Sequence, residues 1–98
     1  MLENGPDMES FYHTIKRATD GGYIGQARLL IDVALRKTPE DPKLHYLKGC
    51  TYLKTGHWHK AMNCFMRSRT ADGNTAAGEM IDMLDGIMSF YHKDLYNP

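Results

Sequence analysis

The amino-acid sequence predicts an all-α protein built from five helices. In each segment between turn signals, apolar residues recur at the three- and four-residue spacings of a helix. No segment keeps the period-two alternation of a strand for long, and no Asn-Gly turn joins β-rich runs. The chain has 98 residues, of which 42% are hydrophobic, so it can form one small core without disulfide or metal staples.

The first two helices are separated by a glycine-rich turn. Asp7 is placed to cap the first helix, and Phe11, Ile15 and Ala18 form a stripe along one face. The segment 19–22, Thr-Asp-Gly-Gly, ends it. A second helix is predicted over residues 23–37. Its apolar face comprises Ile24, Ala27, Ile31, Ala34 and Leu35.

A proline-containing segment, 38–42, separates the second helix from the third. Asp41 is predicted to cap the third helix, with Pro42 in its first turn, and Thr55-Gly56 to end it. A fourth helix is expected from about His57 to Ala71, and a fifth over residues 76–94. The apolar residues of the fifth helix are Met80, Ile81, Leu84, Ile87, Met88 and Tyr91.

The chain contains an internal repeat of 34 residues, in which residues 8–41 correspond to residues 42–75. The shift pairs Tyr12 with Tyr46, Gly22 with Gly56, Ala27 with Ala61, Ile24 with Trp58 and Ile31 with Phe65. These positions fall at turns and helix contacts. Each unit therefore reads as helix, glycine-containing turn, helix.

The repeat resembles the tetratricopeptide repeat (TPR) family, whose pattern is Trp-x2-Leu-Gly-x2-Tyr, then Ala-x3-Phe, then Pro. The second unit keeps four of these residues, Gly49, Tyr52, Ala61 and Phe65. It departs from the pattern at three positions, His45, Lys48 and Gly73. The first unit matches mainly in its second half, at Gly22, Ala27, Ile31 and Pro39.

The resemblance implies a short α-solenoid of antiparallel helix pairs. The chain would then be a single domain with one repeat at 8–41, a second at 42–75, and a capping helix at 76–94. Close approach of two helices requires small residues. Gly49 and Ala61 are therefore expected to face each other across the turn at Gly56.

Charge and cysteine content narrow the classes of partner and compartment. The 12 basic and 12 acidic residues give a formal net charge of zero, which argues against a nucleic-acid partner. No apolar run approaches the ~20 residues of a membrane span. Cys50 and Cys64 are too few for a disulfide framework, so we expect reduced thiols and a cytoplasmic location.

The resemblance also implies a concave binding surface lined by the first helix of each unit. By position, the expected partner-binding residues are Tyr12, Lys16, Lys43, Tyr46, Cys50 and Leu53, with Met80 and Leu84 on the fifth helix. In the alternative interpretation, Tyr46, Cys50 and Leu53 pack on the fifth helix, which then fills much of the groove.

No metal, cofactor or catalytic centre is predicted. His57-Trp58-His59 suggests a metal site, but side chains two residues apart diverge at a helix start. Cys50 and Cys64 also lack the spacing of structural zinc ligands. The chain contains no phosphate-binding glycine loop, Gly-x-Ser-x-Gly elbow or His-Glu-x-x-His motif.

The functional prediction is a non-enzymatic protein–protein interaction module that docks a peptide or helix on its concave helical surface. The partner would be a protein or peptide, with no nucleic acid and no membrane. The alternative is a structural homodimer formed through the C-terminal helix. In that alternative, Met88 and Tyr91 would be reached by a second copy of the chain.

Overall fold

The computed structural model describes the backbone of residues 8–72 and 75–96, and the side chains of residues 8–71 and 76–90. Within these ranges the protein is all-α and has no strand, as predicted. The helices are α1 (Met8–Asp20), α2 (Ile24–Lys37), α3 (Pro42–Lys54), α4 (Trp58–Asp72) and α5 (Thr75–Tyr96). These bounds lie within one or two residues of the predicted ones. Asp7, the predicted cap of the first helix, lies outside the described residues.

The start of α3 forms as its sequence predicts. Asp41 has an extended backbone, and its Oδ1 accepts hydrogen bonds from the amides of Lys43 (2.9 Å) and Leu44 (3.3 Å). Pro42 occupies the first turn, where its missing N–H leaves no intrahelical bond unmade. The Asp-Pro pair therefore determines where α3 begins.

The turns after α1 and α3 have the same geometry and lie 34 residues apart. Gly22 and Gly56 both have positive φ, 89° and 75°. The amides of Gly22 and Tyr23 bond to the carbonyls of Thr19 and Ala18, which closes a Schellman motif. The equivalent bonds after α3 join Gly56 to Leu53 and His57 to Tyr52. The sequence repeat is therefore also a repeat of backbone hydrogen bonding.

The core consists of two clusters that share α3. The first joins α1, α2 and α3 and comprises Ile15, Ala27, Ile31, Leu44 and Leu47. The second joins α4 and α5 and comprises Ala61, Met62, Phe65, Ala77, Ile81 and Leu84. Each helix packs against the next in the chain, and α1 also packs against α3. The molecule is elongated, at 61 × 28 × 19 Å.

Gly49 lets α4 approach α3 closely. The three atoms nearest to a β-carbon built on Gly49 belong to the Phe65 ring, the closest at 2.6 Å. Phe65 lies one turn after Ala61 on α4, and the predicted pairing of Gly49 with Ala61 stays a prediction. The absence of a side chain at position 49 provides room for a fully buried aromatic ring.

Buried polar groups connect the helices. Ser68 on α4 donates to the carbonyl of Pro42 (2.8 Å), and His45 Nε2 donates to the carbonyl of Pro39 (2.7 Å). Among the described side chains, every buried nitrogen and oxygen atom has a hydrogen-bond partner. Over the same part of the chain, none of the helices combines the length and apolar character that crossing a membrane requires.

Candidate functional site

Two of the predicted binding residues, Cys50 and Leu53, line a depression between α1 and α3, here called the α1–α3 cleft. It has a volume of about 260 Å³. Its lining comprises Thr19, Asp20, Cys50, Leu53 and Lys54. Cys50 and Leu53 are partly buried, whereas Asp20 and Lys54 are exposed. The cleft therefore has a largely apolar floor and a charged rim.

An ion pair lies at this rim. Lys16 Nζ lies 2.9 Å from Asp20 Oδ2, and both side chains are more than 60% exposed. The hydrogen bond to Asp20 raises the pKa of Lys16, so the ammonium stays charged at neutral pH. Exposed pairs of this kind contribute little to stability. Both charges are thus available to a partner.

Cys50 lines the cleft, and Tyr46 lies one turn before it on α3. The Tyr46 ring packs at 54° on Phe65 with centroids 5.4 Å apart. Burial raises the pKa of Cys50 to about 11, and it also raises the pKa of Tyr46. The thiol is therefore protonated at neutral pH and is a poor nucleophile.

Tyr12 and Lys43 belong to a separate network near the start of α3. The Tyr12 hydroxyl donates to Asp41 Oδ2 at 2.6 Å. Burial, followed by this bond to Asp41, raises the pKa of Tyr12 well above its ordinary value. Lys43 Nζ lies 5.1 Å from the Tyr12 ring centroid and 3.6 Å from Glu9 Oε2. These residues join α1 to α3 as well as presenting charge to solvent.

The predicted contribution of α5 to the binding surface is corrected at one residue. Leu84 has no exposed surface because it packs into the second core cluster, so it cannot contact a partner. Met80 packs against the same cluster and is half-buried. Tyr46, Cys50 and Leu53 also pack against this cluster, which contains residues of both α4 and α5. Lys16 and Lys43 are the exposed members of the predicted set.

A second depression lies over α3 and α4, and sequence reasoning missed it. We call it the basic cleft; its volume is about 330 Å³. Its lining comprises His45, Lys48, Tyr52, Lys60, Asn63, Cys64 and Arg67. One signal was available in the sequence, because residues 42–71 contain six Lys or Arg and no Asp or Glu. A net charge of zero for the whole chain conceals this local excess.

The histidines considered as metal ligands have other surroundings. His57 Nδ1 is hydrogen-bonded to Thr55 Oγ1 at 2.7 Å, and His59 is exposed. Among residues 8–71 and 76–90, no three side chains of His, Cys, Asp or Glu are grouped as metal ligands. Cys50 and Cys64 are both free thiols.

Comparisons of the chain with protein-family models, with curated proteins and with solved structures gave no match. The likeness to tetratricopeptide repeats therefore rests on the internal repeat of residues 8–41 and 42–75. Function has to be inferred from the two clefts and their chemistry.

Proposed function

We propose that this chain is a non-enzymatic protein–protein interaction module of the tetratricopeptide type, a scaffold or adaptor that docks a peptide or helix in the α1–α3 cleft. Helix-lined grooves bind such ligands through apolar anchors and rim charges. Its compartment would be the cytoplasm, where free thiols such as Cys50 and Cys64 stay reduced.

The observation that carries the proposal is the composition of the α1–α3 cleft. Cys50 and Leu53 supply apolar area, and Asp20 and Lys54 supply opposite charges at the edge. Lys16, paired with Asp20, adds a further donor. A protonated, partly buried Cys50 supports a contact role rather than a nucleophilic one.

The proposal is tested by partner capture with a cleft variant and a matched control. The cleft variant combines Lys16→Gln and Lys54→Gln. The control combines Arg36→Gln and Lys37→Gln, which remove two exposed charges from the end of α2. Each is used as bait with wild type, and recovered proteins are identified by mass spectrometry after circular dichroism has established that every bait is folded.

We expect one set of proteins to be recovered with wild type and the control and to be depleted at least about fivefold with the cleft variant, since each exposed charged contact contributes about two- to fivefold. Equal recovery with all three baits would place the partner elsewhere and contradict the proposal.

A second candidate function, self-assembly through α5, is favoured by exposed apolar side chains on that helix. Met83 is 42% exposed and Phe90 62%. Met88, which the sequence suggested for this contact, packs against the core cluster, and the Tyr91 side chain lies outside the described residues. A sedimenting species of twice 11.2 kDa that Met83→Glu and Phe90→Glu convert to monomer would support assembly over docking.

A further inference from the structure

Charge is distributed unevenly along the chain. Residues 8–41 contain five basic and five acidic side chains, whereas residues 42–71 contain six basic and none acidic. Residues 75–96 contain four acidic and one basic. The net positive charge is thus concentrated on α3 and α4. Cations of both helices line the basic cleft.

Three cations border the basic cleft from two helices. Lys60 and Arg67 lie seven residues apart on α4, two turns and ~10 Å along its axis, and so share one face. Lys48 comes from α3. The positive charges of Lys48, Arg67 and Arg28 all act on the Cys64 sulfur, against the burial that raises its pKa. The lining of the basic cleft therefore brings cations of α3 and α4 together.

The carboxylates already present at the cleft form weak pairs. Asp32 Oδ1 lies 3.6 Å from Lys48 Nζ, and Glu40 Oε2 lies 3.7 Å from Arg67 Nη2. The two acidic side chains are 52% and 79% exposed. Exposed ion pairs of this length contribute little to stability, so a ligand carboxylate can replace Asp32 or Glu40 in them. Lys60 is not part of either pair and lies 5.7 Å from the Tyr52 ring centroid.

We infer that the basic cleft binds an acidic peptide segment whose carboxylates are spaced by ~10 Å, which is two turns of a helix or three residues of an extended chain. One carboxylate would pair with Lys60 and the other with Arg67, while Lys48 lies between the helices. Asn63, exposed on the same face of α4, offers an amide to the ligand backbone. This surface is distinct from the α1–α3 cleft.

The spacing and the surroundings of the cations favour this ligand class over two others. A single phosphate or sulfate is too small to reach both Lys60 and Arg67. A single-stranded nucleic acid would need an open aromatic face for its bases. The Tyr52 ring already contacts Arg28, at 4.2 Å from the centroid, and the edge of His57.

The test is a titration of the protein into a defined acidic probe at low salt, with binding monitored by the fluorescence anisotropy of the probe. The probe is a fluorescein-labelled peptide with two glutamate pairs two helical turns apart, and its reference is the same peptide with glutamine in place of glutamate. The cleft variant combines Lys60→Gln and Arg67→Gln. The matched control combines Lys37→Gln and Arg69→Gln, which remove one Lys charge and one Arg charge from exposed positions outside both clefts.

We expect wild type and the control to bind the glutamate peptide alike, within about twofold, and the cleft variant to lose about tenfold. Binding should weaken as salt is added, because exposed charges are screened. Four results would overturn the inference: no binding by wild type, equal binding of the glutamine peptide, equal loss in both double variants, or stronger competition by inorganic phosphate or an oligonucleotide than by unlabelled peptide. Loss confined to the control would also reject the inference.

Discussion

Gly49 lies so close to Phe65 that a β-carbon at position 49 would come within 2.6 Å of the ring. Phe65 is fully buried, so its ring has little freedom to move away. This contact sets how closely α3 approaches α4.

Replacing Gly49 with Ala is therefore expected to lower the free energy of unfolding by about 1–3 kcal/mol, because the core would be overpacked. The matched control is Gly86→Ala on α5, where an added β-carbon meets nothing within 4 Å. That change should be neutral or stabilising by up to about 1 kcal/mol, through helix propensity. Urea unfolding measures both, and similar shifts for the two variants would contradict the contact.

Arg28 is expected to stabilise the packing of α2 on α3. Its guanidinium donates to Thr51 Oγ1 (3.2 Å) and Thr55 Oγ1 (3.0 Å) and lies 4.2 Å from the Tyr52 ring centroid. Lysine keeps the charge but cannot make these contacts together. We expect Arg28→Lys to destabilise the protein by about 1–2 kcal/mol in thermal and urea melts.

The control for that variant is Arg36→Lys, at an exposed position in the last turn of α2. It should change stability by less than about 0.5 kcal/mol. If the two variants have the same melting temperature, the contacts of Arg28 do not contribute to the packing of α2 on α3.

Asp41 should contribute more to stability than the adjacent Glu40. It caps α3 with one carboxylate oxygen and accepts from Tyr12 with the other, whereas Glu40 forms one exposed ion pair. Asp41→Ala is expected to cost about 1.5–3 kcal/mol and Tyr12→Phe about 0.5–1.5 kcal/mol. Glu40→Ala should cost less than about 0.5 kcal/mol. A ranking in which Glu40→Ala is the most damaging would refute this assignment.

The raised pKa of Cys50 predicts a loss of stability at alkaline pH. The folded thiol has a pKa of about 11, against an ordinary value of 9.0. Below pH 9 the thiol is protonated in both states. Between about pH 9 and 11 the unfolded state loses the proton and the folded state keeps it, so unfolding becomes easier as pH rises. The loss is on the order of 2 kcal/mol.

Urea unfolding in reductant, at pH values on both sides of this window, measures the effect. Cys50→Ala should show a shallower fall in stability than wild type. A fall remains in the variant, because burial also raises the pKa of Tyr12, Tyr46 and Cys64. Identical pH dependence in the two proteins would show that Cys50 titrates normally in the folded state.

The limits of sequence reasoning are clearest at the two clefts. Cys50 and Leu53 were placed at the α1–α3 cleft by the 34-residue repeat, and they line it. The resemblance implied that the fifth helix continues the groove at Leu84, but an apolar helix face does not distinguish a core position from an open groove. Only the position of α4 against α5 buries Leu84.

Local signals in the sequence were enough to determine the five helices and the turns between them. Asp41-Pro42 begins α3, and glycines 34 residues apart, Gly22 and Gly56, adopt the positive φ that ends α1 and α3. These features depend on bonds between residues a few positions apart, so the chain specifies them wherever the helices later pack.

The tertiary structure alone decided which side chains meet across helices. It placed the Phe65 ring against Gly49, and it brought Lys48 of α3 to the same cleft as Lys60 and Arg67 of α4. Both outcomes depend on the angle and axial register of two packed helices. Register is set by how many side chains interdigitate at once, and a shift of one turn exchanges every partner while leaving the periodicity of each helix unchanged.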